Sequence, residues 1–120
     1  MKLVTRILAA SVLPLIALGT AHADEALAKA RGCTACHAVD KKMVGPSYAQ
    51  VAACYKADGK KLADNKAVLV KHIKAGGAGV WGPVPMPAHP QVSDADLAKI
   101  VDWIMSVKPG DCPKEFKPKS

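Results

Sequence analysis

Large aromatic side chains are scarce in this chain, with two Trp, two Tyr and one Phe among 120 residues. They are Tyr48, Tyr55, Trp81, Trp103 and Phe116. A small domain with so little large apolar surface is short of material for a core, and a flat apolar cofactor would supply it. Acidic side chains are the minority sign, 10 against 17 basic, for a formal charge of +7. No basic run is interleaved with aromatics, because the lysines are scattered from Lys29 to Lys119. That excludes the usual single-strand nucleic-acid surface and leaves an acidic partner or an anionic surface as what the charge attracts. No segment alternates polar and apolar residues as a half-buried strand does, and no repeat is present. The chain therefore reads as all-α.

The N-terminus reads as an address. Lys2 and Arg6 precede the apolar run Ile7–Leu18, and small residues follow at Ala21–Ala23. The run is broken by Pro14 and falls well short of the about 20 residues that span a bilayer. The pattern predicts a signal peptide over 1–23, cleaved after Ala23, and an exported protein without stable membrane insertion. A retained interfacial anchor is the plainer alternative. Beyond it lie one small domain, 24–108, and a Pro- and Lys-rich tail, 109–120, which frays unless something ties it down.

Four or five short helices are expected. Asp24–Gly32 has two acids in its first turn and a glycine to end it. Pro46 stands at a first helical position before Tyr48, Val51, Ala52 and Tyr55 at helical spacing. The segment from Asp64 carries Leu69, Val70 and Ile73 on one face and stops at Gly76. Ser93 caps the last helix, with Asp96 making a weak capping box and Leu97, Ile100, Val101 and Ile104 forming an apolar stripe beside Trp103. Residues 75–90, with four glycines and four prolines, must be a shaped loop.

The densest signal is Cys33-Thr-Ala-Cys36-His37. A closed zinc site needs four ligands, yet Cys54 and Cys112 stand alone with no second paired half-site. A thioredoxin-like redox pair expects a preceding strand, and none is predicted. Covalent haem attachment explains the histidine as well as the cysteines. Each thiol adds to one vinyl group, and the adjacent imidazole is then held at the iron. Export agrees, since this attachment takes place outside the bacterial cytoplasm.

A second axial ligand has to arrive from elsewhere. Met43 is too close to His37 in sequence to cross over, Met105 reads as helix packing, and His72 as a boundary histidine among lysines. Met86 lies between Pro85 and Pro87, which bar helix and hold a thioether at a set position. His89 is the alternative ligand, and a gap-filling loop methionine the plainer reading of Met86.

The stretches GCTACHAVDKKMVGPSY, GVWGPVPMP and LAKIVDWIMS together resemble the short periplasmic class I cytochromes c of bacterial respiratory chains. The resemblance runs from Asp24 to about Lys108. It implies a class I cytochrome c fold around one covalent haem c, with Cys33 and Cys36 as thioether cysteines and His37 and Met86 as axial ligands. It also implies that the Pro46 carbonyl accepts the His37 Nδ1 proton, that Trp81 bonds a haem propionate, and that Gly32 and Trp103 lie where the first and last helices cross. Plainer readings stand beside these: Pro46 as a helix start, Trp81 as a cover over the cofactor edge, and Gly32 as a cap.

With both axial positions filled, the resemblance implies a soluble periplasmic one-electron carrier rather than an enzyme, a monomer working between respiratory donor and acceptor proteins. A gas-binding or peroxidase-like haem protein is the alternative if Met86 is labile. Residues 75–88 carry no charged side chain, so this loop is expected to form the contact patch, with Lys71 and Lys74 steering partners whose docking surfaces are acidic. Cys54 and Cys112 fall outside the family pattern. An even remainder of cysteines in an exported protein favours a disulfide, with two separate thiols the alternative.

Overall fold

The computed structural model describes residues 21–118, with side chains from Asp24 onward. Among them are four α-helices: α1 Ala21–Ala30, α2 Tyr48–Ala57, α3 Leu62–Ala75 and α4 Asp94–Ser106. A single 3-10 turn covers Cys33–Ala35, and no strand is formed among the described residues. The expected signal peptide lies outside them except for the backbone of 21–23, where α1 begins earlier than the anticipated Asp24.

Local chemistry explains where the helices begin and end. Ser47, not Pro46, governs the start of α2: its Oγ accepts from Gln50 N at 3.1 Å while Gln50 Oε1 accepts from Ser47 N at 3.0 Å. This reciprocal box satisfies two amide donors that helix geometry leaves open. Pro46 therefore stands just outside the helix, and its carbonyl is free for another partner. Ser93 caps α4 as expected, accepting from Asp96 N at 3.1 Å. The reciprocal half of that box is absent because the Asp96 carboxylate turns to Arg31, accepting from Nε at 3.1 Å and Nη2 at 2.6 Å.

Gly32 follows α1 with φ +80°, and a Cβ built there would meet nothing within 4 Å. It is a left-handed helix terminator rather than a point of close helix crossing, which corrects the role the resemblance implied. Ala28 of α1, fully buried, and Trp103 of α4, 7% exposed, belong to the same core cluster. Tyr48 meets the Trp103 ring edge-on at 4.8 Å, tying α2 into that cluster.

Helix α4 is the centre of the fold, touching α1, α2 and α3. Its expected stripe of Leu97, Ile100, Val101 and Ile104 is buried throughout, and Met105 is buried as packing. Ion pairs Arg31–Asp96, Lys66–Asp102 and Lys74–Asp94 clip α1 and α3 to its surface. At these exposures each contributes at most about 1 kcal/mol. Asn65, only 1% exposed, joins the α2–α3 connection by donating to the Tyr55 carbonyl at 2.5 Å and to Asp58 Oδ1 at 2.9 Å.

Over its described residues, 109–118, the tail is tied down. Gly110 N donates to the Ala49 carbonyl at 3.0 Å, and Lys117 N donates to the Val80 carbonyl at 2.9 Å. Between these two bonds Cys112 is joined to Cys54 as a disulfide, with Cα atoms 4.9 Å apart. Phe116 lies tilted against Trp81 with ring centroids 4.6 Å apart and meets Tyr55 edge-on at 5.2 Å. With Phe116 included, every aromatic residue of the chain takes part in a ring contact.

Candidate functional site

The 3-10 turn sets the spacing of the two free thiols. Cys36 N and His37 N both donate to the Cys33 carbonyl, at 3.2 and 3.1 Å. That tight turn brings Cys33, Cys36 and His37 onto one short piece of chain, with both cysteines half-buried and unbridged. Burial pushes the Cys33 thiol up, opposed in part by its backbone hydrogen bond. A thiol–disulfide exchange cysteine needs the opposite shift. Nor is there a zinc set: among the described residues no three His, Cys, Asp or Glu side chains are grouped so as to hold a metal ion, and Cys54 and Cys112 bond each other.

His37 is held on two sides. Its Nδ1–H donates to the Pro46 carbonyl at 2.7 Å, which fixes the tautomer and leaves the Nε2 lone pair available. Gly45 lies flat against the imidazole, where a Cβ would stand 2.8 Å from Nδ1 and 3.0 Å from Nε2. Gly45 N in turn donates to the Cys36 carbonyl at 2.9 Å, closing the segment 36–45 on itself. Tyr48 stacks on the same ring at 5.6 Å. The sequence reading named Pro46 but missed Gly45; the Gly-Pro pair eight residues beyond His37 was its available signal.

Met86 is positioned by backbone contacts rather than by helix. Gly77 N donates to the Met86 carbonyl at 3.0 Å and Met86 N donates to the Gly77 carbonyl at 2.8 Å, an isolated antiparallel bridge. His89 N reaches back to the Ile73 carbonyl at 3.1 Å. Pro85 and Pro87, which lack amide donors, flank Met86 without costing the bridge a bond. Gly76 permits this approach, with φ +64° and a Cβ position 2.5 Å from the Met86 carbonyl oxygen and 2.6 Å from Ala88 N.

These pieces converge on one cleft of about 260 Å³. Cys33, Cys36, His37, Met86, Trp81 and Pro46 all line it, and its remaining walls include Val51, Leu69, Leu97, Ile100 and Ile104. Among the other candidates, His72 lines it too, within 3.4 Å of the Tyr55 hydroxyl. His89 does not line it and instead accepts from Gln91 Nε2 at 3.5 Å. Met43 is 44% exposed, and Met105 lies in the core. Lys74, expected to steer partners, is engaged by Asp94.

Burial leaves its mark on the two tyrosines of the cleft. It raises the Tyr55 phenol to about 12, with a further push from Asp58. It raises the Tyr48 phenol further still, with smaller contributions from Cys33, Glu25 and Cys36. The Tyr48 hydroxyl is buried and has no hydrogen-bond partner among the described residues. A largely apolar cleft holding two unbridged thiols, an imidazole with Nε2 free, a thioether and an unsatisfied hydroxyl fits a flat metallo-macrocycle joined through its edge.

Comparison with known proteins gives the same frame. The family model for cytochrome c matches residues 23–108. Cytochrome c-552 of Hydrogenobacter thermophilus is 50% identical over 90 residues, covering 75% of this chain and 87% of that protein. Cytochrome c-551 of Pseudomonas aeruginosa is 43% identical over 105 residues, covering 82% and 96%. The crystal structure of cytochrome c552 from Nitrosomonas europaea superposes with a TM-score of 0.63 at 45% identity, covering 70% of this chain and 99% of that one. The matched region stops at residue 108, so the packed tail lies beyond it.

Proposed function

This chain belongs to the cytochrome c family, and from that premise we propose that it is a diffusible one-electron carrier holding one covalent haem c with His/Met axial ligation. The observation that carries this reading is the convergence of Cys33, Cys36, His37 and Met86 on one apolar cleft from two separate segments of chain. When bound, haem supplies a ferric/ferrous couple. Cys33 and Cys36 would anchor it through thioethers, and His37 would offer Nε2 to the iron while Pro46 and Gly45 hold the ring in place. Met86, held by its bridge to Gly77, would supply the second protein ligand to the iron.

Each of these residues bears on the redox couple. The Met86 thioether is a soft ligand that favours the ferrous state, and the apolar walls disfavour the extra charge of the ferric state. Both effects raise the potential. With His37 and Met86 in these roles no iron position would be left open to a substrate, which supports a carrier rather than an enzyme. Trp81, which lines the cleft, would bond a haem propionate through its indole N–H. The leader-like pattern of residues 1–23 supports a periplasmic carrier working between respiratory donors and acceptors. The uncharged loop 75–88 is its contact patch, and lysines around it steer partners with acidic surfaces.

Carbon monoxide tests the carrier reading against gas binding or peroxidase chemistry. The reduced holoprotein should keep its spectrum unchanged under carbon monoxide at neutral pH. A rapid shift to a carbon monoxide adduct would assign it to the gas-binding class instead.

A further inference from the structure

The tail beyond residue 108 lies outside the family match, yet it reaches the candidate site. Pro113 and Glu115 line the cleft, and Phe116 lies on Trp81. Its two ends are tied to different parts of the molecule. On one side, Gly110 N bonds the Ala49 carbonyl and Cys112 bonds Cys54, both on α2. On the other, Lys117 N bonds the Val80 carbonyl, within the loop that carries Met86. The bridge Gly77–Met86, the bond Gly79–Gly82 and the bond His89–Ile73 tie that loop to itself and to α3. The tail adds a tie to α2.

Opening of a loop is governed by the contacts it must break, and a covalent anchor makes those contacts harder to lose together. From this geometry we propose that residues 109–118 form a strap, latched by Cys54–Cys112, with Phe116 as a positioning residue that restrains the 76–90 loop and limits how often Met86 leaves its axial position. The proposal rests on the axial assignment of Met86. Residues 80 and 81 are where the strap engages the loop, six and five positions ahead of Met86. Phe116 also contacts Tyr55 of α2, so one ring couples helix and loop directly.

Imidazole binding to the ferric full-length holoprotein reads the opening step. At saturating imidazole the observed rate becomes the rate at which Met86 dissociates, followed as loss of the near-infrared sulfur-to-iron band. Phe116→Ala should raise that limiting rate about tenfold, in line with the loss of an aromatic pair. Cys112→Ser should raise it at least as much, and Phe116→Tyr should restore the wild-type rate. Val101→Ala, in α4 away from the cleft lining, should lower global stability and leave the rate unchanged. Equal limiting rates in wild type, Phe116→Ala and Cys112→Ser, all with the band intact, would overturn the strap alone. An equal rise in Val101→Ala would overturn it as well, by reducing the effect to general stability. Absence of the band from the wild-type protein would remove the Met86 assignment, and the strap with it.

Discussion

Gly76 and Met86 are placed so closely that a side chain on the first would collide with the backbone of the second. A Cβ at Gly76 would lie 2.5 Å from the Met86 carbonyl oxygen, and Gly76 itself has φ +64°. Both the left-handed backbone and the close approach require glycine.

Gly76→Ala should therefore displace the loop from the end of α3. We expect a loss of about 2 kcal/mol or more in urea unfolding, combining backbone strain with the collision. The sulfur-to-iron band of the ferric protein should weaken in the same variant. Unfolding and spectrum both indistinguishable from wild type would show that the loop does not depend on this contact.

Much of this arrangement was legible in the sequence. The stripe from Leu97 to Ile104, the Ser93 cap, the end of α3 at Gly76 and the shaped loop after it all follow from periodicity and punctuation. The Cys33–His37 run points to its chemistry because each residue type is demanded by one reaction. What was not legible depends on tertiary approach. Gly45 looks like any turn glycine until the His37 ring is seen lying against it. Gly32 looks like a packing glycine until the space around it proves open. The tail reads as a fraying end because nothing local predicts that Phe116 will find Trp81. Asn65 gives no sign in the sequence that it will be buried.

Asn65 makes a sharp test of polar satisfaction in the α2–α3 connection. It is 1% exposed and donates to the Tyr55 carbonyl and to Asp58. Asn65→Leu keeps the volume but strands the Tyr55 carbonyl, and should cost about 1–3 kcal/mol. Denaturant unfolding of the holoprotein measures it, and a change below about 0.5 kcal/mol would contradict the role given to these bonds.

The Cys54–Cys112 bridge, spanning a sequence separation of 58, should contribute roughly 2–4 kcal/mol. Cys112→Ser should lose that amount in thermal or urea unfolding. Alkylation of the denatured, unreduced protein followed by mass measurement checks the bond itself. No label should be added when Cys33 and Cys36 hold haem, and two added labels would mean separate thiols.

Electrostatic steering should appear in association kinetics with a purified redox partner. Rates should fall as salt rises, because screening shortens the reach of the lysine field. Lys71→Glu combined with Lys74→Glu should slow association at low salt and flatten the salt dependence. Part of that change will come from breaking the Lys74–Asp94 pair, so Lys71→Glu alone should show the same direction. Rates indifferent to salt and to both substitutions would rule steering out.

The central claim, that Met86 and His37 hold the iron, is tested most directly by the ferric spectrum of Met86→Ala beside that of His89→Ala. Haem should remain attached in both, since attachment needs only Cys33, Cys36 and His37. Met86→Ala should lose the near-infrared sulfur-to-iron band, become high-spin or take up water, and bind carbon monoxide once reduced, with a lower reduction potential. His89→Ala should match the wild type in every respect. A Met86→Ala protein that stays six-coordinate and low-spin, beside a His89→Ala protein that does not, would contradict the account and assign the iron to two histidines.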